Sequence, residues 1–133
     1  MYDTYSDYLN LPLTITFEEA QELHKEILEQ IIGDEDGMEL YRDLIETATQ
    51  YAHIRAQWAY WDREERMKQD LGRTYCHDSL IVKFNQLARY LEIYGKSRAW
   101  RDRLGDNKID PYYRKTIGDF GCYLVFINSI MAR

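Results

Sequence analysis

The chain has 133 residues, 45% of them hydrophobic and 30% charged, with a net charge of −6. That is one domain's worth of chain, long enough to bury a core without disulfides or a structural metal. Two prolines and seven glycines argue against a loop-rich or collagen-like scaffold, and two cysteines with no CxxC spacing argue against a disulfide-dense secreted fold. Cys76 and Cys122 sit in apolar-patterned segments and are expected to be buried free thiols in a reducing compartment. No apolar run reaches the length of a membrane-spanning helix, because Asp119 and Asn128 interrupt the longest one. The chain opens MYDTYSDYLN rather than with a basic, apolar leader, so the expectation is a cytoplasmic protein without a membrane anchor.

The charge is unevenly spread. Residues 17–46 hold eleven acidic side chains against Lys25 and Arg42, whereas residues 47–133 hold fifteen basic against ten acidic. The densest basic stretch is KSRAWRDR, with Lys96, Arg98, Arg101 and Arg103 around Trp100. It has two readings: a basic segment that neutralises the acidic first helix, or a phosphate contact with Trp100 stacking on a base. The overall negative field works against the second, so nucleic acid is not the expected partner.

In chain order, residues 1–16 carry tyrosines at 2, 5 and 8 without a helical period and read as an arm. Thr16 and Glu19 form a capping box that opens a helix ending at Gly33, with Ala20, Leu23, Ile27 and Ile31 on one face. Asp36 and Glu39 suggest a second box, opening a central helix from about Met38 to Trp61. Its inner stripe is Tyr41, Ile45, Ala48, Ala52, Arg55 and Ala59. Asp62 and Glu65 open a short charged helix, DREERMKQD, before Gly72. The next helix follows Arg73, His77, Leu80, Phe84, Leu87, Leu91 and Tyr94 until Gly95. A one- or two-turn helix, SRAWRDRL, is bounded by Ser97 and Gly105. The last helix carries Ile117, Phe120, Leu124, Ile127 and Met131, and the fold class is therefore all-α, four main helices with short connecting ones.

Asp119 is the anomaly. It heads a second apolar stripe of the last helix with Tyr123, Phe126 and Ile130, flanked by Gly118 and Gly121. If the helix starts at Thr116, Asp119 caps it; if it starts at Pro111, a buried carboxylate needs a cation. Arg55 lies among alanines on the central helix, and Arg73 and His77 occupy inner positions of the next. An antiparallel arrangement gathers all of these at one end of the molecule. The candidate site is thus a polar cluster of Arg55, Arg73, His77, Asp78 and Asp119, with Tyr51, Trp58 and Trp61 at its rim. Such a cluster serves either as a structural ion-pair network or as a holder of an anionic ligand.

Other chemistry is poorly supported. A di-iron bundle needs Glu-x-x-His on two helices, and no Glu stands three residues before His24, His53 or His77. His24, among glutamates on the first helix, reads as a surface residue. Cys76, His77 and Asp78 are consecutive on a helix and so point in different directions. No metal or cofactor is expected.

Read together, YAHIRAQW (51–58), REERMKQDLGRTYCHDSL (63–80), WRDRLGD (100–106), IGDFGCYL (117–124) and the terminal AR resemble a family of small uncharacterised bacterial helical proteins, a domain of unknown function. The resemblance covers about residues 38–133 and brings no catalytic or binding residue with it; it implies a cytoplasmic bacterial accessory protein. Three tryptophans and twelve tyrosines suit an interface. The leading functional expectation is a non-enzymatic protein-interaction or regulatory module that partners another protein or itself. The alternative is a site for an anionic small molecule, binding or enzymatic, at the Arg/His/Asp cluster. Weak nucleic-acid contact through residues 96–103 is the second alternative.

Overall fold

A computed structural model describes residues 14–105 and 111–131, the side chains at 111–114 and 129–131 excepted. The Tyr-rich segment up to residue 13, Asp110 and the side chains of Ile130 and Met131 lie outside the described residues. Among the described residues there are five helices and no strand: α1 (Phe17–Ile31), α2 (Glu35–Trp58), α3 (Arg63–Ile93), α4 (Ala99–Arg103) and α5 (Pro111–Met131). None is long and apolar enough to cross a membrane. The protein is all-α.

Local chemistry explains most boundaries. Thr16 and Glu19 satisfy each other's backbone amides at the start of α1, a reciprocal capping box. Gly33, Gly95 and Gly105 all adopt positive φ (76°, 71° and 79°), the conformation that ends a helix and that glycine enters without a Cβ clash. Two expectations need correction. The cap of α2 is Asp34, which accepts from the Gly37 amide at 3.1 Å, so the helix starts earlier than Met38 and also ends earlier, at Trp58. DREERMKQD is not a separate helix: it is the first part of α3, which runs unbroken through Gly72. Glycine inside a helix costs only about 1 kcal/mol. Here the Glu65–Gln69 hydrogen bond and the Asp70–Arg73 ion pair span the region and hold the turn.

α2 and α3 are the main antiparallel pair. Tyr90, near the end of α3, donates its hydroxyl hydrogen to Asp34 at the start of α2, and Arg66 donates to the Trp58 carbonyl at the other end. α5 lies across both, with Phe120 against Phe84 at 5.5 Å between centroids, and α1 closes the remaining side through Phe17 on Tyr123 and Phe126. The core these helices share includes Ile27, Ile31, Tyr41, Leu44, Leu80 and Leu91, each essentially sealed from solvent. Each such side chain contributes about 1.5–3 kcal/mol by leaving water. Tyr94, placed on the inner stripe by spacing, is instead exposed and caps α3 against Tyr90.

The basic segment is spent on the fold. Lys96 donates to the Gln30 carbonyl at 2.7 Å, Arg98 pairs with Glu92 and Asp102, and Arg103 pairs with Glu26 of the acidic α1. Arg101 is buried, donating to the Asn85 side chain and the Gly105 carbonyl. Trp100 is 1% exposed and packs on Phe84, which corrects the expectation that its ring is available for stacking on a base.

Candidate functional site

Tyr51, Arg55 and Trp58 follow one another at helical spacing along the last two turns of α2. Opposite them α3 presents Arg73, Thr74 and His77, and α5 presents Lys115. These seven residues line a cavity of about 480 Å³. No residue of α3 before Cys76 is buried, so this end of the α2–α3 pair borders solvent.

Asp119 lies beneath the cavity, fully sequestered, and is an interior residue of α5. Its Oδ1 pairs with the Arg55 guanidinium, itself only 5% exposed. Its Oδ2 accepts from both the backbone amide and the hydroxyl of Thr14, each at 2.7 Å. The carboxylate thus ties α2, α5 and the strand of chain entering α1 together. The ion-pair account of Asp119 holds and the capping account does not, because α5 begins at Pro111.

Arg73 lies over the Trp58 ring, 4.6 Å from its centroid, and pairs with Asp70 on its exposed side. Arg66 approaches the same ring at 5.9 Å. Tyr51 packs on His77 at 5.1 Å. Gly118 permits this closeness: a Cβ there would meet the His77 Nε2 and the Tyr51 ring and hydroxyl at 3.0 Å. Burial pushes the Tyr51 hydroxyl up to about 12, against the opposing pull of Arg55 and Arg73, so it stays protonated and able to donate.

Of the residues singled out by spacing, Arg55, Arg73, His77 and Asp119 come together, with Tyr51 and Trp58 beside them. Asp78 does not line the cavity; it faces outward and is exposed. Trp61 stacks edge-on against Trp58 and lines a separate shallow hollow with Tyr60 and Asp62. Thr74, Lys115 and Thr14 were missed. Lys115 stands one helical turn before Asp119, a spacing that would have placed it on the same face. Thr14 carries no local signal at all.

Among the described residues the lining carries three basic side chains, Arg55, Arg73 and Lys115, and no carboxylate. With Asp119 balancing Arg55, a positive surplus remains at Arg73 and Lys115, partly offset by Asp70. The arrangement can hold an anion and flank it with flat apolar surface. Among the described residues no three His, Cys, Asp or Glu side chains are grouped to hold a metal ion, and both cysteines are buried free thiols. Compared with known proteins, the chain matches no family model, no curated protein and no solved structure.

Proposed function

We propose that this protein binds a small anionic ligand bearing a flat apolar part in the cavity between α2, α3 and α5. The observation that carries the reading is the gathering of three basic side chains, Arg55, Arg73 and Lys115, with Tyr51 and Trp58, no carboxylate standing among the described lining residues, in a chain whose net charge is −6. Arg73 and Lys115 take the anion; Arg73 loses little freedom in doing so, because Trp58 already holds its guanidinium plane. Arg55 is oriented by Asp119, and Tyr51 supplies a neutral hydroxyl donor. The cavity is of the size that small ligands occupy. Binding rather than turnover is the reading proposed.

The test uses phenyl phosphate, inorganic phosphate and benzoate in calorimetric titrations and thermal melts. Phenyl phosphate should bind more tightly than inorganic phosphate and raise the melting temperature. Arg73→Gln and Lys115→Gln should each weaken binding by about tenfold, with little change in the ligand-free melt, since both side chains border solvent. If no probe shifts the melt, or if both variants bind as wild type does, the reading is wrong.

A protein-interaction role is the second reading, favoured by a row of exposed apolar side chains, Met67, Leu71 and Tyr75, on α3. A cytoplasmic location and kinship with small bacterial helical proteins belong to this proposal.

A further inference from the structure

The apolar row on α3 is independent of the cavity. At about 100° per residue, Cys76, Leu80, Phe84, Leu87 and Leu91 face the core, and Met67, Leu71, Tyr75 and Val82 face nearly the opposite way. Single exposed apolar residues are ordinary on a protein surface. Here Met67 is 70% exposed, Leu71 83% and Tyr75 73%, spaced four residues apart on one face of one helix. That is a seam rather than scatter.

The residues along this seam also have a coiled-coil spacing. Glu64, Lys68, Leu71, Tyr75, Asp78 and Val82 follow one another at steps of 4, 3, 4, 3 and 4, alternating a and d positions. All six are exposed. In an antiparallel pair of identical helices, a two-fold axis makes each a position meet a d position of the partner, and every contact occurs twice. Placing the axis between Leu71 and Tyr75 sets Leu71 of each copy against Tyr75 of the other, so four apolar side chains form the centre. The same register sets Lys68 against Asp78 in the layer on either side. Val82 then covers the aliphatic stem of Glu64 in the outermost layers. The charges flanking the apolar centre are thus complementary to themselves under two-fold rotation, a property that suits a second copy of this chain.

From this self-complementarity we infer that the outer face of α3 is a homodimer interface, in which two copies pair antiparallel about a two-fold axis between Leu71 and Tyr75. The occupant of the seam is the same chain. The two copies meet back to back and both cavities stay open to solvent, so the inference stands apart from ligand binding.

Sedimentation velocity of the full chain across the micromolar range tests it. The wild type should show a concentration-dependent monomer–dimer equilibrium, and Leu71→Glu should raise the dissociation constant by about tenfold or more. Lys68→Glu and Asp78→Lys should each weaken dimerisation, and combining them should recover most of the lost affinity, because the reversed pair attracts again. Circular dichroism on each variant verifies that the helices remain. A monomer at every concentration, a dimer that Leu71→Glu leaves unchanged, or a double variant no better than the single ones overturns the inference.

Discussion

Replacing Asp119 with asparagine removes one charge and almost no volume, and the structure says what this costs. One carboxylate oxygen faces the Arg55 guanidinium and the other accepts two hydrogens from Thr14. An asparagine amide has a single acceptor oxygen. Whichever way it turns, its NH2 meets donors, either the guanidinium or the Thr14 amide. Arg55 loses its pairing with the Asp119 carboxylate at 5% exposure. Breaking a buried ion pair from one side costs about 3–5 kcal/mol. Arg55 borders the cavity, where water reaches one side of its head, so the lower end, ~3 kcal/mol, applies. For a domain of this size that is a fall in melting temperature of about 10 °C. Calorimetric melts at neutral pH measure it directly. Arg55→Met alone should cost a similar amount, because the buried carboxylate loses its arginine. The double variant Arg55→Met/Asp119→Asn should be less destabilised than the sum by about 2 kcal/mol. A melt of Asp119→Asn within about 2 °C of wild type, or additive effects in the double variant, refutes the view that this pair joins α2 to α5.

Three further outcomes are expected. Gly118→Ala should push Tyr51 and His77 apart, weakening phenyl phosphate binding; the melt should change little, because alanine's helix preference of about 1 kcal/mol offsets the crowding. Titrations of wild type and variant beside their melts separate the two effects. His24 Nδ1 shares a hydrogen bond with the buried Tyr41 hydroxyl, so it is not the surface residue its neighbours suggest, and burial lowers its pKa from 6.5. The folded state favours the neutral ring, so its contribution is complete above pH 6.5 and is lost as pH falls through that value toward the folded pKa. Melts in a pH series should therefore decline more steeply on the acid side for wild type than for His24→Asn, whose amide can still hydrogen-bond Tyr41 but does not titrate. Arg101→Glu should lower the melting temperature by several degrees through the lost Asn85 and Gly105 bonds, whereas Arg98→Glu, on the exposed side of α4, should leave it nearly unchanged. Equal effects in the two variants contradict the different burial of these arginines.

The cavity was partly legible beforehand because helices make sequence spacing into geometry. Tyr51, Arg55 and Trp58 share a face by number alone, as do Arg73 and His77, and a short turn between α2 and α3 makes them neighbours. Asp78 fails for the same reason that His77 succeeds: one residue further along a helix is a rotation of about 100°, which carries it to the outside. The basic segment misleads because charge density does not say which side chains are satisfied internally; Trp100 and Arg101 are sealed while Arg98 is not.

What this sequence determines by itself is local: the Thr16 and Asp62 caps, the positive-φ stops at Gly33, Gly95 and Gly105, and the apolar period that makes the protein all-α. Those signals act within a few residues of backbone, so they survive without knowing the fold. The continuity of α3 through Gly72, the burial of Trp100, the hold of Thr14 on Asp119 across most of the chain, and the cavity that joins the last turns of α2 to Arg73, His77 and Lys115 are decided only in three dimensions. Each depends on which distant surface arrives, and a buried charge is satisfied by whatever donor packing delivers to it.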